Sequence, residues 1–550
     1  MGTHEVGSSA GIAAIRAATL CEAFQVTVAE RPQQVALRTL GGALEITYAE
    51  FAARVRALAE GLHALGVRRG DTVALMLTNR PEFSLVDVAA MHLGAIPFSI
   101  YNTSSAEQVA HVFRNAGNRV VVTERQFLAR VIEARTPEIE HIVLVDAEES
   151  GTRTLADLAA QRAAGFDFEG AWRDVQPDDV VTLIYTSGTT GPSKAAELTH
   201  RSVLFQTRGV AEVLAVTSGG RSISYLPSAH VGDRCGTHYG ASLCFGNSVT
   251  SIPDHRQVSL ALAEVRPTTF GGVPRVWEKL KAGLETAGVI DPSRLPEPVR
   301  AAVRAKIGLE QTVWRVSGAA PASVEVLQYF HDLGLPLNEG WGMSEVSCFG
   351  TVNPPDDIRM GTVGKALPGV ALGIADDGEL LVRAPLVMKG YRRDPERTAE
   401  ALDAEGWLHT GDIARIDGDG YVSIVDRKKE IIINSAGKNM SPANIELKLR
   451  AASRYIAHAV CVGDRRPYNV ALIVLECEMC IGRSPDELRS VVGEAVAAAN
   501  AELSRVEQVK RFAIIEADWL PGGDELTPTM KLKRKPIHVK YAAEIEQLYS

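Results

Sequence analysis

Residues Asp179–His200 read DVVTLIYTSGTTGPSKAAELTH. The first seven, apolar and β-branched, have the length and composition of a buried strand. The run stops at Thr186, Ser187 and Gly188, passes through Thr189, Thr190 and Gly191, and meets one cation, Lys194, before a pattern that reads as helical. A strand, a loop and a helix are therefore expected. Small residues leave backbone N–H groups uncovered for an approaching anion, and hydroxyls with a lysine add donors and positive charge. Phosphate is the natural guest. The loop is not of the G-x-x-x-x-G-K-[ST] kind, because Lys194 stands between Ser193 and Ala195, where that motif has a glycine and a hydroxyl. A mononucleotide kinase or motor ATPase loses its support on that ground. The plainer alternative, a strand-to-helix turn with no ligand, stays open at this point.

Outward from this loop, apolar strands alternate with helices. EITYAEFAARVRALAEGLHALG (45–66) reads as a strand end, an amphipathic helix and a glycine stop, and the strand DTVALML (71–77) follows. RVVVTE, HIVLVD and SISYLP continue the alternation, which implies mostly parallel sheets covered by helices. Near residue 375 the texture changes. DDGELLVRAP and GDIARIDGDGYVSIVDR place Asp-Gly turns between short strands, the mark of antiparallel hairpins. The expected fold is α/β: a large N-terminal domain (1–425) of mostly parallel sheets with an antiparallel β subdomain, a hinge at 426–430, and a small mobile α/β domain (431–550).

At 550 residues the chain exceeds one ordinary core. With 46% hydrophobic and 23% charged residues it has a soluble globular composition. The net charge of -9 argues against a general nucleic-acid binder. The basic run KLKRKPIHVK (531–540) is local. No run of 18 apolar residues and no secretory leader is visible, so a cytoplasmic protein is expected, with peripheral membrane contact and oligomeric state left open. Seven cysteines, an odd number, suit reduced thiols, and CEMC (477–480) has no second ligand pair for zinc.

Six motifs in order, YTSGTTGPSK, YLPSAHVGDR, VSGAAP, NEGWGMSE, GWLHTGDIARIDGDGYVSIVDRKKEII and LTPTMKLKRK, resemble the adenylate-forming ligases. This superfamily contains acyl-CoA synthetases, peptide-synthetase adenylation domains and firefly luciferase. YLPSAHVGDR, VRPTTFGGVPRVWEKL and KLKRK are similar to the long-chain and very-long-chain acyl-CoA synthetase branch. The resemblance implies that a fatty acid and ATP give acyl-AMP and pyrophosphate, with Mg2+ as cofactor, and that coenzyme A then takes the acyl group.

On that resemblance, the loop Thr186–Gly191 with Lys194 embraces the leaving phosphates, and Glu345 with the Thr186 hydroxyl holds magnesium, a hard cation that takes oxygen ligands. Ser344 donates to the α-phosphate. Gly318, Ala319, Ala320, Glu339 and Gly340 form the adenine slot, with Trp341 stacking where the family has tyrosine. Asp412 accepts the ribose hydroxyls, Arg427 reinforces ribose or phosphate, and His230 sits by the reacting carboxylate. Lys531 is the catalytic lysine, with Lys533 and Lys535 as rivals. Lys429 is the hinge and Gly437 lines the pantetheine tunnel. Departures from the family pattern are Trp341, Met530 for glycine, Ala195 for glycine, Ser193 with Pro192, and Asp233 for glutamate. Other readings are an acyl-AMP ligase that loads a carrier-protein thiol, a CoA ligase for another hydrophobic acid, and a non-enzymatic regulator on an inactive ligase scaffold.

Overall fold

Strand Val180–Thr186 lies inside an eight-stranded sheet in the order Gly390–Tyr391, Lys194–Thr199, Val180–Thr186, Ile96–Ser99, Thr72–Met76, Val120–Thr123, His141–Leu144, Arg153–Thr154. The structure is a computed structural model and describes residues 12–186, 192–214, 216–435, 437–527 and 530–550. From Val180–Thr186 to Arg153–Thr154 all neighbours are parallel. The other two strands are antiparallel additions.

One of those additions corrects the reading of the opening stretch. After the loop the chain does not enter a helix. Lys194–Thr199 returns beside Val180–Thr186 as an antiparallel strand, and the helix begins only at His200. Ala195, Ala196, Glu197 and Leu198 favour helix by intrinsic propensity, but pairing on both edges overrides so weak a preference. Thr199 marks the true start, with its side chain accepting from the Ser202 N–H in a capping box.

The predicted helix around residues 45–66 forms at Tyr48–Ala64, capped by Thr47 and Glu50. Its buried face, Tyr48, Phe51, Val55, Leu58 and Leu62, follows helical spacing. A second sheet runs Thr269–Gly272, Trp314–Ser317 and Asn338–Trp341 in parallel, then Thr351–Val352 and Lys365–Ala366 antiparallel. A third, wholly antiparallel sheet joins Ala371–Ile374, Glu379–Arg383, Leu408–Ile416 and Val422–Arg427, as the Asp-Gly turns require. A π-helix, Gly232–Cys244, packs against strands Arg221–Ser224 and Ser248–Ser251 and helices Leu20–Glu30 and His200–Val213, and its Arg234 is fully buried and paired with buried Asp87.

The C-terminal part has its own apolar clusters, drawn entirely from residues between Ile432 and Tyr549. Its strands Ile456–Val462, Asn469–Leu475 and Val509–Ile515 carry helices Pro442–Ala451 and Pro485–Glu502. A small C-terminal domain thus packs on the large one. Ion pairs Arg275–Glu476 and Arg450–Glu278, the latter at 3.2 Å, cross between them. Among the described residues no helix is long and apolar enough to cross a membrane.

Candidate active site

A cleft of about 1380 Å3 opens between the two domains, and the predicted residues gather along it. At one end, the hairpin register sets Thr186 opposite Lys194, with the Thr186 hydroxyl donating to the Lys194 carbonyl at 3.3 Å. The loop expectation for Ser187, Gly188, Thr189, Thr190 and Gly191 falls outside the described residues.

Lys194 Nζ donates to the Tyr391 hydroxyl at 2.6 Å and lies 4.0 Å from the ring centroid. That hydroxyl donates in turn to Glu345 Oε1 at 2.7 Å. Glu345 is buried on a single 3-10 turn, Ser344–Val346, and its carbonyl accepts the Met388 N–H at 2.8 Å. Burial pulls the Lys194 pKa below the usual lysine value, and Glu345 opposes this while Arg397 and Lys429 add to it. Lys429 and Arg397 therefore face the same end.

In the middle, Gly318, Ala319, Ala320, Glu339, Gly340 and Trp341 line the cleft. Gly318 and Gly340 have little room for a side chain. A Cβ on Gly340 would come 2.9 Å from the Phe349 ring, and one on Gly318 3.3 Å from the Gly340 carbonyl oxygen. Burial raises the Glu339 carboxyl to about 7, although the Gly361 N–H at 3.2 Å favours its charged form.

The Trp341 indole N–H donates to Asp412 Oδ2 at 2.8 Å. Arg427, directly across the hairpin, brings Nε to 2.8 Å from Asp412 Oδ1. Both oxygens of the predicted ribose clamp are thus engaged. Burial raises the Asp412 pKa against the pull of Arg427, Trp341 and Lys531.

Lys531 reaches the same cleft from the small domain. It keeps contact with water, yet protein surrounds the ammonium closely enough that desolvation lowers its pKa. Arg427 lowers it further, and Asp412, Glu345 and Glu430 oppose. Its rival Lys533 instead donates to the Gly523 carbonyl at 2.7 Å. His230 stands near enough to Lys531 to feel its charge, and burial first, then that lysine, drops the imidazole to about 3. His230 is therefore neutral at physiological pH, with Nδ1 3.1 Å from the Gly232 N–H.

Around the predicted hinge, Lys428 binds Glu379 at 3.0 Å and also Asp377, both in the large domain. Glu430 binds Arg534 at 3.0 Å, and Arg534 in turn holds Glu446 at 2.5 and 2.7 Å. Gly437 does not line the cleft. It turns with φ 73, and a Cβ there would have no heavy atom within 4 Å.

Thr207, Val210, Gly236, Ala241 and Phe245 also line the cleft. Sequence reasoning missed Tyr391 and Arg397, which carry no motif signal of their own. Cys477 and Cys480 are free thiols on a one-turn helix, and no described group of three or more His, Cys, Asp or Glu could hold a metal.

A family model described as AMP-binding enzyme matches residues 24–392, and one described as AMP-binding enzyme C-terminal domain matches residues 429–550. The chain belongs to the AMP-binding enzyme family. Among AMP-binding enzymes, it is 48% identical to "Putative fatty-acid--CoA ligase fadD11" of Mycobacterium tuberculosis over 73% of this chain and 79% of that protein. It is 34% identical to "Long-chain-fatty-acid--CoA ligase FadD15" of Mycobacterium bovis over 92% of both chains. Its fold is that of the adenylation domain of the carboxylate reductase from Mycobacterium chelonae, with a TM-score of 0.83 and 21% identity over 98% of this chain and 93% of that one. The anthranilate CoA ligase AuaEII gives a TM-score of 0.78 at 21% identity over 96% and 98%.

Proposed function

We propose that this AMP-binding enzyme is a fatty-acid–CoA ligase for long-chain acids, working in the cytoplasm. A carboxylate oxygen attacks the α-phosphorus of ATP, and the bond to the β-phosphate oxygen breaks to release pyrophosphate. The thiol of coenzyme A then attacks the acyl carbon, loses its proton to water, and the acyl–phosphate bond breaks to release AMP. The observation that carries this reading is a cleft whose lining combines the charged groups Lys194, Glu345, Asp412 and Lys531 with apolar ones that include Val210, Ala241 and Phe245. A long apolar chain with a terminal carboxylate matches that combination. The names of the relatives point the same way.

The first step brings two anions together, so it depends on cations placed where charge develops. In this reading Lys531 bridges the acid and the α-phosphate. Lys194, with the loop from Thr186 to Gly191, holds the departing pyrophosphate. Ser344 donates to the α-phosphate, Asp412 and Arg427 hold the ribose, and His230, neutral, accepts or donates beside the acid. Gly318, Ala319, Glu339, Gly340 and Trp341 frame the adenine.

The Glu345 carboxylate and the Thr186 hydroxyl fit magnesium, which takes one or two carboxylates plus substrate phosphates in preference to an all-protein cage. Magnesium bound there would neutralise phosphate charge. The large domain (1–425), hinge (426–430, turning about Lys429) and small domain (431–550) suit rotation between the two steps, with Lys531 leaving and Gly437 arriving to line the thiol path.

The test is product analysis of the purified protein with ATP, magnesium and a long-chain acid. AMP and pyrophosphate are expected, with thioester formed on free coenzyme A. ADP as the main nucleotide product would overturn the reading, and turnover only with a carrier-protein thiol would reassign the acceptor.

A further inference from the structure

Tyr391 joins two groups that sequence reading assigned separately. Lys194 is 197 residues from it and Glu345 is 46, yet one phenol oxygen accepts from the first at 2.6 Å and donates to the second at 2.7 Å. Its own backbone is fixed by pairing of Gly390–Tyr391 with Glu197 and Ala196, on the strand that Lys194 begins, and by the Tyr391 N–H donating to Thr398 Oγ1 at 2.9 Å. The hydroxyl is therefore held by the same sheet that carries the lysine.

We propose that Tyr391 is a positioning residue that keeps the Lys194 ammonium one oxygen away from the Glu345 carboxylate, so that the ammonium presents its two remaining donors to a pyrophosphate group in the cleft. This rests on the ligase reading for the identity of that group.

The physical reason is competition. An ammonium has three donors and a carboxylate only accepts. Left alone in a half-buried pocket, the two would collapse into a direct ion pair, and each would satisfy the other instead of a ligand. The interposed phenol accepts one of the three ammonium hydrogens and offers one hydrogen to Glu345. Two donors stay available on Lys194, and the Glu345 carboxylate is held off the ammonium. The ring adds a second hold, because the ammonium lies 4.0 Å from its centroid. A tyrosine buried only for packing needs one partner for its hydroxyl. This one has two of opposite charge, both lining the cleft.

Tyr391→Phe keeps the ring and removes the bridge. Calorimetric binding of pyrophosphate to the metal-free protein should weaken by about 10- to 100-fold, the range for a hydrogen bond to a charged group. Pyrophosphate release from ATP and acid should fall in parallel, while conversion of supplied acyl-AMP to acyl-CoA should stay at the wild-type rate, which also shows that the variant is folded. In a Lys194→Met background the same substitution should cost nothing further, because the tyrosine acts through that lysine. Wild-type pyrophosphate affinity in Tyr391→Phe, or losses that simply add in the double variant, would overturn the proposal. A wild-type protein that makes ADP would instead overturn the ligase reading, and the pyrophosphate comparison would still decide the role of Tyr391.

Discussion

The two ends of the cleft are built on different plans. At the Lys194 end the lysine, Tyr391 and Glu345 all belong to the large domain and are linked by two short hydrogen bonds. At the other end Trp341, Asp412 and Arg427 form a similar chain. The cation that completes that second chain, Lys531, comes from the small domain and has a backbone tie to Thr527 Oγ1 at 3.0 Å within its own loop. One end is thus preorganised whatever the small domain does, and the other is complete only in this arrangement of the domains. Electrostatic catalysis needs charges already in place when the reaction begins. In this molecule that condition depends on the placement of Lys531, which feels both Asp412 and Glu345.

Removing Lys531 should break the contrast most severely. Lys531→Ala should lower pyrophosphate release by about 10²–10³, comparable to loss of one oxyanion-stabilising donor, and should still convert supplied acyl-AMP to acyl-CoA. Gly437→Leu should reverse the pattern and lose thioester formation while keeping adenylation. The backbone strain of a side chain at φ 73 acts at the same turn and adds to that loss. Measuring the two half-reactions separately decides the matter, and equal losses in both by both variants would remove the asymmetry between the ends.

A smaller effect should sharpen the comparison. Trp341→Phe removes the indole donor from Asp412 but leaves Arg427 on the other oxygen. The KM for ATP should rise by about tenfold or less, with kcat nearly unchanged. A collapse of kcat would mean that the indole positions more than the ribose clamp.

The smallest effect at neutral pH concerns protonation. Desolvation and Arg427 lower the Lys531 pKa, and the charged form is the one that bridges two anions. Adenylation should therefore fall, as pH rises, sooner than an ordinary lysine would dictate. Lys531→Arg, whose guanidinium stays protonated, should push that alkaline limb upward. An unchanged limb would assign it to another group.

Much of this candidate site was legible because Lys194, Glu345, Asp412 and Lys531 each sit in a motif whose resemblance to the adenylate-forming ligases implied a role for them. Tyr391 was not, since KGYRRD has no meaning until the fold brings it beside residues far away in the chain. The strand Lys194–Thr199 was hidden for the opposite reason: its local signal is clear and points to helix, and only the two neighbouring strands reverse it. Trp341 was half legible. Its flat face could be inferred from its place in the motif, but the partner of its N–H depended on a hairpin 71 residues on. Among the three tail lysines the family pattern favours Lys531, and the structure gives Lys533 a partner of its own in the Gly523 carbonyl.

The anchoring on either side of Lys429 has a mechanical consequence. Lys428 is moored to Glu379 and Asp377 in the large domain, and Glu430 is moored through Arg534 to Glu446 in the small one. A turn of the small domain that keeps these moorings can be absorbed only by the backbone torsions between them, so Lys429 would act as the pin of a crank. Because Arg534 lies three residues after Lys531, the hinge side chain Glu430 and the lysine would ride on the same arm. Any rotation about that pin would then be transmitted to the cleft without slack.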